Sequence, residues 1–421
     1  MSDTTAGEVL TTKDGQPLKV ALAKALRREK LRSLALIAPL LIFVLLTFVA
    51  PIVDMLFRSV ENSIVEETLP RTVVALREWD ADSGQVPDEA VYAALYADLA
   101  VAVEEKTHTR LGSRLNYEEG GMSSLFRKTG RRIKRMDEAG PFKEQFLEAD
   151  RKWGELATWN VLRQFSPRFT DGYFLSAFDA QRTADGIEMK PDNERIYMLL
   201  FGRTLFLSIV ITVSCLVLGY PIAFLLASLP LRSSNLLMIL VLLPFWTSLL
   251  VRTSAWKVLL QQQGVINDFL VWIGLISDAN RLVMINNQTG TIIAMTHILL
   301  PFMILPLYSV MKTISPTYVR AAKSLGANDW TAFWRVYFPQ SVPGIGAGAV
   351  LVFILSIGYY ITPELVGGTS GIFISNRIAY HISSSLNWGL AAALGTLLLV
   401  AVMVLFTVYD KIVGIDNVKL G

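Results

Sequence analysis

The chain has 421 residues, of which 52% are hydrophobic and 18% charged, and its formal net charge is +3. This composition is too apolar for an ordinary soluble protein of mixed charge, so a membrane protein is the first class to consider. The single cysteine, Cys215, excludes an internal disulfide, and the three scattered histidines lack metal-ligand spacing.

Six stretches are long and apolar enough to cross a bilayer core about 30 Å thick, which takes roughly 20 helical residues. They cover residues 34–57, 198–227, 236–260, 291–311, 344–361 and 390–408. Basic residues are concentrated in the tail before the first span. They also occur in the short loops that lie in the cytoplasm if the N-terminus does, as expected because Lys and Arg beside a span are retained on that side. We therefore predict a multi-pass membrane protein with cytoplasmic tails at 1–33 and 412–421.

The N-terminal tail allows two interpretations. Residues 1–30 are polar, which favours disorder. Val20, Leu22 and Leu26 could instead form one face of an amphipathic helix at the membrane surface.

Residues 58–197, which join the first two spans, contain 25 of the 36 acidic residues. Within them Val91, Leu95, Tyr96, Leu99 and Ala100 recur at helical spacing, which indicates packed amphipathic helices. The topology places this segment outside the membrane. We call it the inserted lobe and predict that it is mainly helical and water-exposed.

Residues 315–343, between the fourth and fifth spans, have the signals of two short helices. Ser315 suits an N-cap and Pro316 a first helical turn, and Gly326 ends this first helix. Asn328 caps a second helix, which Pro339 is predicted to stop. We call residues 315–343 the elbow and expect it to face the cytoplasm.

Both elbow helices have apolar residues at i, i+3, i+4 and i+7. These residues are Tyr318, Ala321, Ala322 and Leu325 on the first helix, and Trp330, Phe333, Trp334 and Tyr337 on the second. Such faces suit docking into a groove of another protein. The alternative is that both helices lie against lipid headgroups, with Trp and Tyr as interfacial residues.

The elbow resembles a known signature. Arg320-Ala321-Ala322, three residues, Gly326, nine residues and then the run 336–339 match the spacing of the EAA motif of ABC importer permeases. The segments 219–223, 243–248, 252–256 and 362–368 look like the spermidine/putrescine permeases of that family. One position departs from the motif, because Arg320 stands where the family has an acid.

The resemblance implies an all-α polytopic protein of the bacterial inner membrane, with the type I importer fold and a permease core at 198–411. It implies four partners: an ABC ATPase dimer, a second homologous permease, a periplasmic solute-binding protein and the lipid bilayer; we expect no nucleic acid. Residues expected to touch the ATPase are Tyr318, Arg320, Ala321, Ala322, Leu325, Gly326, Trp330, Phe333, Trp334 and Pro339. Gly326 is expected to be the joint, where a side chain must either fit between the two helices or give up the turn geometry that glycine permits.

The chain has no G-x-x-x-x-G-K-[ST] phosphate loop. We therefore expect no enzyme activity and no cofactor in this chain, with ATP and Mg²⁺ on the ATPase partner.

Polar and aromatic residues near the outer ends of two spans are candidates for a solute path. They are Trp246, Arg252, Trp256, Tyr359, Tyr360 and Glu364. Aromatic faces attract ammonium groups, and Glu364 would add a negative charge, so a polyamine or related amine is the leading solute. The alternative is that the aromatic residues are interfacial and that Arg252 extends to the membrane surface.

Two other functions fit a polytopic membrane protein. An ion-coupled secondary transporter would need carboxylates deep in its spans, where only Asp54 comes close. A receptor that senses through the inserted lobe would not need five further spans. The sequence therefore favours the permease.

Overall fold

The computed structural model describes residues 18–183 and 186–413. Contacts divide the chain into two units, Met1–Phe57 and Arg58–Gly421. The first contains α1 (Leu18–Val44), a π turn at Leu45–Val49 and most of α2 (Ala50–Arg58). Leu26–Arg58 has a mean hydropathy of 2.8 and none of its apolar window is buried by protein, as expected of a span covered by lipid. Disorder is the wrong prediction from Leu18 onward, because a helix begins there; residues 1–17 lie outside the described residues.

The inserted lobe is mainly helical, as predicted. Its helices are α3 (Ser63–Thr68), α4 (Pro70–Glu78), α5 (Glu89–Glu104), α6 (His108–Leu115), α7 (Met122–Arg132), α8 (Phe142–Ala149), α9 (Leu156–Gln164) and α10 (Gly172–Ala177). Short 3-10 turns lie at Ala81–Ser83, Ile133–Arg135 and Arg151–Gly154. An antiparallel hairpin of β1 (Ala180–Thr183) and β2 (Gly186–Met189) pairs Ala180 with Met189.

The lobe has its own aromatic core. Trp153 is fully buried, and its ring lies 5.7 Å from Phe126, 5.4 Å from Phe146 and 5.5 Å from Trp159. The indole N–H donates to the hydroxyl of Thr129 at 2.9 Å. Of the helical positions predicted to pack, Val91, Leu95 and Leu99 are buried, whereas Tyr96 and Ala100 are half-buried at its edge.

A buried carboxyl links α5 to α4 in this lobe. Asp98 is 3% exposed and accepts from the backbone N–H of Thr72 at 2.7 Å and from its hydroxyl at 2.8 Å. Burial raises the pKa of Asp98, although the bonds from Thr72 and the nearby Arg71 oppose the shift. The folded lobe therefore holds this proton more tightly than the unfolded chain does.

Because the folded pKa is raised, the stability that Asp98 contributes is greatest below its ordinary pKa and is lost as pH rises through the raised value. We expect the wild-type lobe to lose stability relative to an Asp98→Asn variant between about pH 4.5 and about pH 7.5. Thermal unfolding followed by near-ultraviolet circular dichroism at both values measures the difference. A difference in thermal midpoint between the two proteins that does not change with pH would contradict the raised pKa of Asp98.

The second part of the chain is built from long helices joined by short ones. Its helices are α11 (Tyr197–Ser228), α12 (Leu231–Leu242), α13 (Leu249–Leu259), α14 (Val265–Trp272), α15 (Gln288–Thr313), α16 (Pro316–Ser324), α17 (Asp329–Ala332), α18 (Phe338–Gly358), α19 (Ile361–Val366), α20 (Gly368–Gly371), α21 (Ile374–Ser383) and α22 (Trp388–Val413). A π turn, Phe333–Tyr337, joins α17 to α18, and 3-10 turns lie at Leu243–Trp246 and Asp278–Asn280.

Helices α11, α15 and α18 form the centre of the permease core. Their shared apolar cluster includes Ile211, Leu299 and Val352, all buried. Gly348 permits the close approach of α18 to α15, because a Cβ there would lie 3.1 Å from the backbone oxygen of Met303. Small residues at such contacts are typical of helix packing in membranes.

Within residues 18–183 and 186–413, five continuous helices could span a membrane, and a sixth candidate is bent. The apolar stretch predicted as a span at 236–260 is a bent pair of helices, because α12 and α13 meet at 95°. Pro244 lies in the 3-10 turn between them, and Thr247 and Ser248 are extended, with ψ of 146° and 141°. Both features break the helical hydrogen-bond ladder.

The inserted lobe packs against the core through α10. Tyr173 of α10 shares an apolar cluster with Tyr197, Leu390 and Leu394. Gly389 is required at this contact, because a Cβ there would lie 2.2 Å from the Tyr173 ring. The hydroxyl of Tyr197 also lies 2.9 Å from Nε2 of His381, so α11 and α21 meet beneath the lobe.

Candidate coupling elbow and solute path

The two elbow helices begin and turn as the sequence predicts. The hydroxyl of Ser315 accepts from the N–H of Thr317 at 3.4 Å, and Asn328 accepts from the N–H of Thr331 at 2.7 Å. Gly326 follows α16 with φ of +90°, a left-handed conformation that favours glycine. These caps fix a sharp bend between α16 and α17.

Of the two constraints expected at Gly326, the structure shows the glycine turn geometry and not a close contact between the helices. A Cβ built at this position meets no atom within 4 Å. Glycine is therefore required there by its backbone conformation, and space remains on the outer side of the bend.

The first elbow face is open to its surroundings. Leu325 is 90% exposed, Tyr318 is 55% exposed and Ala321 is also exposed, whereas Ala322 is half-buried. Trp330 beyond the bend is 72% exposed. Apolar side chains this exposed stabilise the folded chain little, and a cluster of them marks a contact surface.

The second face is divided, which corrects the prediction of one outward aromatic surface. Phe333 and Tyr337 turn inward, with rings 5.9 Å and 5.1 Å from Phe224 of α11. Trp334 remains 44% exposed, and its ring lies 5.6 Å from that of Trp330. The inward pair anchors the elbow to α11, and the outward tryptophans extend the exposed face.

Pro339 does not stop the second helix, contrary to the prediction. It lies two residues after the π turn at Phe333–Tyr337, where the regular hydrogen-bond spacing changes, and helix continues from Asp329 to Gly358. The π turn at Phe333–Tyr337 bridges α17 and α18. The elbow is therefore continuous with the fifth span.

Charged groups also shape the elbow. Lys323 of α16 forms an ion pair with Asp329 of α17, which closes the bend. Arg320 is exposed, and no ion pair to its guanidinium occurs among residues 18–183 and 186–413. A cavity of about 630 Å³ lies behind α16, with Val319 and Arg320 on one wall and Phe224 on another.

The predicted solute-path residues fall into two groups. Tyr360 and Glu364 line a cavity of about 460 Å³ together with Arg377 and Tyr380. Glu364 accepts from the amide of Asn376 at 2.6 Å. The cavity therefore combines aromatic rings with one carboxylate and one guanidinium.

The other predicted path residues do not line that cavity. Trp256 donates to Nδ1 of His297 at 3.0 Å, which joins α13 to α15. Arg252, one turn earlier, is half-buried, and Tyr359 packs partly into the apolar core. Trp246 lies at the bend before α13 and is 79% exposed.

Sequence reasoning missed His297, Asn376 and Arg377 as members of these groups. His297 lies within an apolar span, and the other two lie on α21, between the last two predicted spans. Asn376 bonds to the backbone oxygen of Tyr360 as well as to Glu364, a pairing made only by the fold. A prediction of helix for residues 374–383 would have placed Asn376 and Arg377 on one element, but it would not have shown their contact with Glu364.

Comparison with known proteins covers the permease core. Residues 204–415 match the family described as binding-protein-dependent transport system inner membrane component. The spermidine/putrescine transport system permease protein PotB of Salmonella typhimurium (strain SL1344) is 34% identical over 226 residues, 54% of this chain and 78% of that protein. PotB of Haemophilus influenzae is 36% identical over 225 residues, 53% of this chain and 78% of that protein.

A solved bacterial alginate ABC transporter is also similar to this chain; its structure is in complex with an alginate pentasaccharide-bound periplasmic protein. The overlap has a TM-score of 0.43 and 20% sequence identity, and it covers 53% of this chain and 80% of that chain. The family match begins at Thr204, so the inserted lobe, described at 58–183 and 186–197, lies outside it.

Proposed function

Because this chain belongs to the family of inner-membrane components of binding-protein-dependent transport systems, the permease subunits of ABC importers, we propose that an ATPase dimer docks on its elbow and drives solute import. The dimer supplies ATP and Mg²⁺, and a second homologous permease completes the pathway. A periplasmic binding protein delivers the solute. Both termini and the elbow face the cytoplasm, in agreement with the basic residues of the elbow.

The observation that carries this proposal is the exposed elbow face. Leu325, Tyr318 and Trp330 are held outward on a bend that caps and an ion pair make rigid. Exposed aromatic and aliphatic anchors on a rigid helical element are typical of helix-in-groove docking. Headgroup contact alone would not require the bend to be fixed in this way.

The solute in this proposal is a polyamine or a related amine. The two PotB relatives are named for spermidine and putrescine. In this chain Tyr360, Tyr380 and Glu364 line one cavity, so aromatic faces and a carboxylate are available to an ammonium group. Arg377 in the same cavity opposes a second positive charge, which favours binding one amine end at a time.

Replacing Leu325 with aspartate tests the docking. We expect ATPase association with the permease pair to weaken by at least ~10-fold, because a charge would enter an apolar groove. The stability of the chain should change by less than ~0.5 kcal/mol, because the side chain is 90% exposed. Co-purification of the cognate ATPase, and ATP-driven uptake of labelled putrescine into proteoliposomes, measure both effects.

The matched control is Val74→Asp, which places the same charge at an exposed apolar position of the inserted lobe, where Val74 is 58% exposed. It should leave ATPase association unchanged. Normal association of the Leu325 variant would exclude the elbow as the docking surface. Uptake of glutamate in preference to putrescine would leave docking intact but overturn the solute assignment.

A further inference from the structure

The first elbow helix has a second face, opposite the exposed apolar one that holds Tyr318 and Leu325. Four residues of this second face follow at i, i+3, i+4 and i+7, and all of them line the cavity of about 630 Å³ behind α16: Pro316, Val319, Arg320 and Lys323. The helix therefore separates a surface that is open to a partner protein from a cavity that faces the membrane spans.

The far walls of this cavity belong to the ends of two membrane spans. Phe224 lies in the last turns of α11, which ends at Ser228, and Ile314 directly follows α15, which ends at Thr313. Both helices are long and apolar enough to cross a membrane. The ends of such helices lie at the level of the lipid headgroups. Phospholipids are therefore the nearest neighbours of the cavity outside the protein.

Much of the cavity wall is apolar. The Phe224 side chain is 37% exposed, and Ile314 and Val319 are half-buried, so each keeps apolar surface that the chain itself does not cover. Water or a small inorganic ion in this space would leave that surface hydrated, which is unfavourable. A hydrocarbon chain would cover it.

Arg320 gives the cavity a cation that has no counter-ion. Its side chain is exposed, and its guanidinium has no ion pair or hydrogen bond with any residue in 18–183 and 186–413. Lys323 and Asp329 also line the cavity, but they are paired with each other, so Arg320 leaves the lining with a net charge of +1. Lys312 adds an ammonium group at the edge, where it donates to the backbone oxygen of Ala227 at 3.4 Å. The cavity therefore favours an anion.

We propose that this cavity binds an anionic phospholipid, with the headgroup phosphate on Arg320 and an acyl chain against Phe224 and Val319. The guanidinium donors match the oxygens of a phosphate. A free phosphate offers the same group but leaves the apolar walls uncovered, and a zwitterionic lipid covers the walls but brings no net charge. The bound lipid links α16 to the ends of α11 and α15. The site does not rest on the proposed function, because ATPase docking uses the opposite face of α16.

Native mass spectrometry of the full-length chain tests the proposal, with phosphatidylglycerol as the probe. We expect one phosphatidylglycerol to bind saturably and at least ~10-fold more tightly than phosphatidylcholine with the same acyl chains, because only the first carries a net negative charge. Glycerol 3-phosphate carries a phosphate without acyl chains. It should bind at least ~100-fold more weakly than phosphatidylglycerol, because it leaves the apolar walls uncovered.

An Arg320→Gln variant should weaken phosphatidylglycerol binding by at least ~10-fold, because it removes the charge and the paired donors that hold the phosphate. The matched control is Arg232→Gln. Arg232 is also exposed, lies at the start of α12 just after α11 ends, and is not part of the cavity lining. This control should change the affinity by less than ~2-fold, because exposed charges outside the site are screened by salt.

A second variant tests the acyl-chain part of the site. Ser228→Trp fills the cavity from an exposed position and leaves Arg320 in place, so it should weaken phosphatidylglycerol binding without changing that of glycerol 3-phosphate. It also covers the case in which the Arg320 variant fails to fold. None of these measurements uses the ATPase, so they do not depend on whether docking occurs at the elbow.

Three results would overturn the proposal. Equal affinity of the wild type for phosphatidylglycerol and phosphatidylcholine would remove the role of charge. Equal losses in the Arg320 and Arg232 variants would show general attraction of headgroups to basic residues instead of a site. Binding of glycerol 3-phosphate as tight as that of phosphatidylglycerol would replace the lipid with a soluble phosphate.

Discussion

A Gly326→Asp substitution is expected to leave the importer assembled while lowering the solute imported per ATP hydrolysed by at least ~10-fold, equivalent to about 1.4 kcal/mol of coupling. Gly326 lies at the bend between α16 and α17 with φ of +90°, beside the exposed Leu325. Aspartate is among the few residues that tolerate this conformation, so the bend should survive. Its charge would then face the docked ATPase next to Leu325, the most exposed apolar side chain of the elbow.

Gly326→Asn separates charge from backbone strain in this experiment. Asparagine has the same shape and the same tolerance of positive φ, but it is neutral. It should therefore retain most of the coupling, since a Cβ at this position meets no atom within 4 Å. Labelled putrescine uptake and phosphate release are measured in the same proteoliposomes. Wild-type coupling in the aspartate variant would remove Gly326 from the coupling mechanism, and equal losses in both variants would assign the effect to the backbone.

A Trp153→Ala substitution is expected to destabilise the inserted lobe by about 3–5 kcal/mol, the usual cost of removing a large buried aromatic side chain. Trp153 is fully buried among three other aromatic rings, and its N–H bond to Thr129 would be lost as well. Hydrogen–deuterium exchange of the α5 and α7 amides in nanodiscs reports the free energy of lobe opening.

Trp153→Phe is the matched control for this substitution. It keeps an aromatic ring in the cluster but removes the N–H, so the loss should be smaller than with alanine and should reflect the unpaired Thr129 hydroxyl and the change of shape. Amides of α15 should exchange at the wild-type rate in both variants, because that helix packs in a different cluster. Unchanged exchange in α5 after Trp153→Ala would contradict a single cooperative lobe core.

Much of the fold was predictable because membrane spans are set by length and polarity. Five spans and the helical lobe follow from apolar runs and helical periodicity, which are local properties. The bend of 95° between α12 and α13 was missed, since both halves read as one apolar run although Pro244 lies between them. Pro339 was misjudged for the opposite reason, because the change of hydrogen-bond spacing at the π turn lets the helix continue past a proline two residues later.

For the candidate sites too, features set by neighbouring residues were predictable, whereas contacts between distant residues were not. Caps at Ser315, Gly326 and Asn328 depend on neighbouring residues and were predicted correctly. The inward packing of Phe333 and Tyr337 depends on Phe224, more than a hundred positions away, and periodicity cannot supply that contact.

The unbroken helix from Asp329 to Gly358 has a mechanical consequence. Its 30 residues make a rod of roughly 45 Å at 1.5 Å per residue, long enough to cross the whole bilayer. The exposed Trp330 stands near one end, and Tyr359, whose carbonyl accepts from Ser375 at 2.7 Å, follows the other. In the proposed complex, a tilt imposed on the first end by a docked ATPase would swing the far end in the opposite direction and shift the cavity lined by Tyr360 and Glu364.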